Sequence, residues 1–164
     1  MIQFLMWVEQ LGYSTWVRES NSIWAFPMYL FAHTLGMSIV AGGAAVISMA
    51  LLGLWPQTPL RPLERMFPWM LVGFYINTFT GISIFMKDAS TYARNFDFWI
   101  KLLFIVAGMF LLFKIRRVVF GDPDLDKRPV TPAVRRLAWA SLFCWFGAIC
   151  AGRLIAYVGP VAGL

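Results

Sequence analysis

The sole histidine of this chain is His33. It lies inside the apolar run IWAFPMYLFAHTLGMSIVAGGAAVISMALLGL, residues 23–54. About 20 apolar residues cross a bilayer, so the imidazole falls within spanning length. An ionisable ring at that depth is costly unless it is paired, ligated or facing water, and it marks a functional position by default. On a helix, steps of three and four place Tyr29, His33, Gly36, Val40, Gly43 and Ile47 on one face. Two chemistries suit that face. Gly36 and Gly43 let a neighbouring helix come close, with His33 hydrogen-bonded inside the bundle. Alternatively they seat a flat haem b, with His33 as the metal ligand. The second axial ligand would then come from Met28, Met37, Met86, water or a partner subunit.

The other polar residues in apolar segments can be ordered by depth. His33 lies about nine residues, roughly 14 Å, below Trp24, near the middle of the hydrocarbon. Asn77 in YINTFTGIS falls at similar depth; it is a candidate interhelical partner for His33 and, with Thr34, a candidate acceptor for its second ring nitrogen. Lys101 and Arg153 enter from the outer side, one to two turns deep. They can snorkel to headgroups, pair with Asp88 or Asp97, or bind an anion such as a haem propionate, a quinone headgroup or a carboxylate. With Lys87 and Arg94 they outline a cationic funnel opening outward. Cys144 and Cys150 lie six residues apart on different sides of one helix and cannot pair locally. The sequence offers no nucleophile–base pair, metal-ligand cluster, phosphate-binding glycine loop or paired carboxylates, so it reads as non-enzymatic.

The elements that hold these residues follow from hydropathy. The chain is 164 residues long, 60% hydrophobic and 13% charged, with a mean hydropathy of +0.68. Soluble domains are about 45–50% apolar and about 25% charged. The expected fold class is therefore all-α, an integral membrane four-helix bundle in one domain. Its spans are expected at about 23–54, 68–86, 98–114 and 137–158. Residues 2–16 read as a short interfacial amphipathic helix ended by Gly12, with Trp7, Tyr13, Trp16 and Trp24 at headgroup level. Ser20, Asn21 and Ser22 are N-cap candidates for the first span. The N-terminus lacks a basic region and does not read as a cleaved signal peptide.

The net charge of +6 does not imply nucleic acid, because the basic residues flank the hydrophobic segments. Arg61, Arg65, Arg116, Arg117, Lys127, Arg128, Arg135 and Arg136 fall in loops one and three, against Arg18, Lys87 and Arg94 on the terminal side. The positive-inside rule places the loops in the cytoplasm and both termini on the outer side of the membrane.

WVRESNSIWAFPMYLFAHTLGMSIVAGG, the following LLGL, GFYINTFTGISIFMKDASTYARNFDFWIKL and AGRLIAY together resemble the DUF6644-type family of small bacterial four-span membrane proteins. The resemblance spans Trp16 to Tyr157. It carries over His33, Gly36, Gly81, Phe85, Tyr92, Asn95, Phe96, Lys101, Gly152 and Arg153, and it implies the four-span fold without implying a chemistry. The chain departs from the family pattern where a Glu precedes the histidine (here Tyr29 and Leu30). It departs again where Asp-Leu-Arg precedes LLGL (here Ser48, Met49 and Ala50). A proton relay through those positions is not expected. The resemblance implies a bacterial inner membrane, which puts both termini in the periplasm, and the functional expectation is an accessory or anchor subunit of a larger complex there, redox-linked if haem b sits on His33. Its partners would be the lipid bilayer and other membrane or periplasmic subunits, or further copies of itself. The alternative is a small homo-oligomeric transporter or channel beneath the cationic funnel, with His33, Gly36, Gly43, Asn77, Lys101 and Arg153 as its site.

Overall fold

A computed structural model describes residues 2–157; Val158, the last residue expected in the fourth span, lies outside them. The helices are α1 (Ile2–Glu9), α2 (Gly12–Glu19), α3 (Phe26–Leu52), α4 (Met66–Lys87), α5 (Ala89–Arg94), α6 (Phe96–Ile115) and α7 (Pro132–Leu154). A 3-10 turn at Arg61–Arg65 leads into α4, and a π-turn at Arg116–Phe120 extends α6. With those turns the four long segments measure 27, 27, 25 and 23 residues, each long and apolar enough to cross a bilayer. The chain is an all-helical, multi-pass membrane protein built as a four-helix bundle in contact with lipid.

Local chemistry sets the helix ends. Pro27 sits in the first turn of α3, where its missing N–H costs least. Gly53 ends α3 with φ of 92°, a left-handed conformation that glycine adopts without Cβ strain. The Asn95 side chain accepts from the backbone N–H groups of Asp97 and Phe98 at the head of α6. The Thr131 hydroxyl accepts from Val134 N–H ahead of Pro132.

Several boundaries differ from the sequence expectation. Helix α3 starts at Phe26 behind Ala25, with no side-chain cap. The Ser20 and Ser22 hydroxyls instead accept from the N–H groups of Ser22 and Trp24 and shape the preceding turn. Gly12 does not end an interfacial helix but opens α2, and the break falls at residues 10–11. The two pieces are held differently from a helix floating in the interface. Glu9 accepts from Ser90 N–H at 2.6 Å, the Tyr13 hydroxyl donates to Ser83 Oγ at 2.8 Å, and Val17 is fully buried. After α6 the chain does not enter a loop at once. Val119 and Phe120 are buried in the π-turn, where the Phe120 ring meets Phe67 edge-on at 5.3 Å.

Small residues set how the spans pack. Helix α3 lies against α4 and α7, and α7 against α6. A Cβ added at Gly36 would sit 2.7 Å from the Gly73 carbonyl oxygen and 2.9 Å from Asn77 N. One added at Gly73 would meet Ile39, and one at Gly43 would meet Met70. Lipid is as apolar as the bundle interior, so such close backbone approach supplies packing energy that hydrophobicity cannot. Helices α4 and α6 meet through rings, with Phe85 stacked on Phe98 at 5.3 Å. The large apolar side chains Trp69, Tyr75, Phe79, Phe110 and Phe146 point outward.

Gly36→Ala is expected to destabilise the bundle by about 1–3 kcal/mol, because the clash is with backbone that cannot yield. Gly42→Ala meets no atom within 4 Å and is expected to be neutral or slightly stabilising. Unfolding of both variants in detergent, followed by tryptophan fluorescence, checks this; equal behaviour would refute the close-approach reading.

Candidate functional site

His33 is placed by α3 with its ring directed at α4. Nδ1 lies 3.1 Å from the Asn77 carbonyl oxygen and 3.1 Å from Thr80 Oγ1. The Thr80 hydroxyl donates to the Ile76 carbonyl at 2.7 Å, so toward the ring it acts as acceptor. Two acceptors at Nδ1 assign the ring proton to that nitrogen and leave the Nε2 lone pair for a donor. The donor is Lys101 of α6, whose Nζ lies 3.3 Å from Nε2. The Asn77 side chain closes the arrangement by donating from Nδ2 to the His33 carbonyl oxygen at 2.9 Å. Asn77 and Thr80 are buried, at 8% and 4% exposure.

Glycines make room for this cluster. At Gly81 an added Cβ would stand 3.1 Å from His33 Cε1. At Gly152 of α7 it would stand 3.4 Å from Lys101 Cδ and Cε. All four spans therefore meet at one ring: α3 carries it, α4 binds it, α6 caps it, and α7 makes space for the cap.

The structure thus joins His33, Asn77 and Lys101, packs Gly36 against the Asn77 backbone, and sets Gly43 and Arg153 apart from them. The guanidinium of Arg153 is exposed, donates to Tyr157 Oη at 2.9 Å and lies 5.1 Å from that ring. Lys87 pairs with Asp88 at 3.2 Å and sits 4.3 Å from the centre of the Phe26 ring. Arg94 donates to the Ser90 carbonyl. Of the cations expected in the funnel, Lys87 is ion-paired, Arg94 and Arg153 are exposed and bond to neutral groups, and Lys101 alone turns in to His33. Thr34 is exposed and donates to the Leu30 carbonyl, so it supports no ring nitrogen. Thr80 and Gly81, neither singled out beside His33 from spacing, prove to be its neighbours. The threonine's place three residues after Asn77 was the available signal, since i and i+3 share a helix face.

The residues present do not fit a haem on His33. An iron would need the Nε2 lone pair, which accepts from Lys101. A macrocycle would need open surface over Gly36 and Gly43, and those positions are closed by the α4 backbone and by Met70. Met37, one of the expected second ligands, packs against the hydrophobic core. Among the described residues no group of three His, Cys, Asp or Glu side chains could hold a metal ion. Outside the spans, on α5, burial and then the nearby Asp88 carboxylate raise the Tyr92 phenol above its ordinary pKa. It stays protonated against the rings of Phe85 and Phe98.

No protein-family model matches the chain, and neither a curated protein nor a solved structure is similar to it.

Truncating His33 to alanine removes the acceptor of Lys101 Nζ and the ring donor to the Asn77 carbonyl, which keeps the Thr80 hydroxyl, at an expected cost of about 1–3 kcal/mol. Lys101→Met should cost less in the His33→Ala background than in the native chain, with a coupling of about 0.5–3 kcal/mol. A double-mutant cycle from detergent-unfolding midpoints measures this, and strict additivity would show that the 3.3 Å contact carries no energy.

Proposed function

We propose that this chain is a non-catalytic accessory or anchor subunit of a larger complex in a bacterial inner membrane, with both termini in the periplasm. The observation that carries the reading is the use made of the central polar groups. Both ring nitrogens of His33 and the Asn77 amide are engaged in bonds between spans. Groups spent in this way brace a scaffold. Small residues at the seams add rigidity at close approach. The resemblance to the DUF6644-type family fits a compact four-span module of this kind. Orientation rests on the excess of Lys and Arg in the loops between α3 and α4 and between α6 and α7.

The reading as a homo-oligomeric transporter has less support, because Lys87 is paired with Asp88 and Arg153 turns outward to Tyr157, away from His33. Redox linkage through haem b at His33 has less support for the reasons of geometry given above.

Extracted in a mild detergent, the tagged chain is expected to run well above its 18.7 kDa plus bound detergent, with other polypeptides at fixed stoichiometry and no Soret band before or after dithionite. A lone chain would overturn the subunit reading. A homo-oligomer with saturable solute flux in proteoliposomes would support the transporter instead. A Soret band lost in His33→Ala would restore the haem. For orientation, Asn21→Cys and Lys127→Cys are placed singly in a background with Cys144 and Cys150 replaced by alanine. On spheroplasts an impermeant maleimide is expected to label the cysteine at position 21 and spare that at position 127; the reverse pattern would invert the topology.

A further inference from the structure

An open depression of about 400 Å3 lies at the bundle end opposite the start of α3 and the end of α7, where the turn before α4 meets the end of α6. It is lined by Arg61, Arg65, Arg116 and Glu64 with Pro62 and Pro68. Three arginines and one glutamate leave an excess of two positive charges, and among the described residues no ion pair involves any of the four.

The arginines differ in how they are held. Arg61 is fixed in place, with Nη1 donating to the Phe120 carbonyl at 2.7 Å and to the Asp122 carbonyl at 3.4 Å. There its charge also complements the end of the α6 segment. The Arg116 guanidinium stands 5.5 Å from the centre of the Phe67 ring, a cation–π contact that orients the planar group. Arg65 is exposed at the head of α4. Guanidinium groups suit phosphate because their N–H forks match its oxygens in pairs.

Depth selects the ligand. The depression sits where α4 begins and α6 ends, at the ends of two segments long and apolar enough to cross a bilayer, where a span meets the headgroups. Just inside that level the two helices expose Trp69, Val72 and Phe113, a surface for acyl chains. We propose that the depression binds the phosphate of an anionic phospholipid from the adjoining leaflet, with Arg65 and Arg116 as its principal contacts and Arg61 as the fixed wall. Basic pockets between spans are a recurrent setting for anionic headgroups. The site requires neither membership of a complex nor a particular orientation.

The test is lipid retention by the purified full-length chain in detergent, read by native mass spectrometry during titration with phosphatidylglycerol or phosphatidylcholine. Phosphatidylglycerol is expected to be retained in preference. Affinity should fall roughly fivefold for each arginine removed in the Arg65→Gln, Arg116→Gln pair. The Arg65→Lys, Arg116→Lys pair, which keeps the charge, should retain most of it. Arg135→Gln with Arg136→Gln removes the same charge from exposed positions elsewhere on that side and should leave affinity unchanged. Equal retention in the two glutamine pairs would overturn the proposal, as would equal retention of the two lipids. Displacement of the lipid by millimolar inorganic phosphate would overturn it too, showing a site for a free anion.

Discussion

The backbones of α3 and α4 touch at Gly36 and Gly73, and the arrangement of the polar centre follows from that contact. A Cβ at Gly36 would overlap the Gly73 carbonyl and the Asn77 amide, so the two helices approach as closely as their main chains allow. Only at that distance can the Nδ2 group of Asn77 reach the His33 carbonyl while the His33 ring reaches the Asn77 carbonyl. The exchange is reciprocal: each residue supplies a side-chain group to the other's main chain. In hydrocarbon, where water cannot substitute, reciprocal satisfaction makes two polar side chains tolerable at mid-depth.

Lys101 extends the pair into a bundle-wide device. Its stem runs beside Gly152 of α7, and its ammonium meets the remaining nitrogen of His33. Helices α4 and α6 are joined through side chains: the stacked rings Phe85–Phe98, the edge-on pair Phe67–Phe120 and, by way of α3, the chain Asn77–His33–Lys101. The arginine-lined depression lies at one end of the bundle, between the turn before α4 and the end of the α6 segment. Close packing on the α3–α4 side and bridging by side chains on the α4–α6 side are thus complementary consequences of where the glycines fall.

The N-terminal helices show how a weakly amphipathic segment is captured. Residues 2–19 carry enough exposed aromatic surface to lie at the interface, with Phe4 and Trp7 outside. Glu9, Tyr13 and Val17 nevertheless fasten them to α5 and α4. Glu9 supplies an acceptor to the first turn of α5, which begins without a side-chain cap. A residue that reads locally as an interfacial charge is in fact the distant partner of a backbone N–H.

Sequence alone determined the four spans and the helical class, since a bilayer demands long apolar segments whose backbone groups are satisfied within one helix. It also marked His33, Asn77 and Lys101, because polar groups in such segments stand out against their neighbours. Helix ends were less legible: Ser20 and Ser22 have the right residue types for capping but spend them on a turn. The rotation of each span about its own axis was not legible at all. Lys101 and Arg153 occupy similar depths and look equivalent by composition, yet Lys101 turns in to His33 and Arg153 turns out to Tyr157. Spans that are apolar on every side carry no face preference in their hydropathy. Their rotation is decided by which glycines can meet which backbones and rings, a property of pairs of helices that exists only once they are packed.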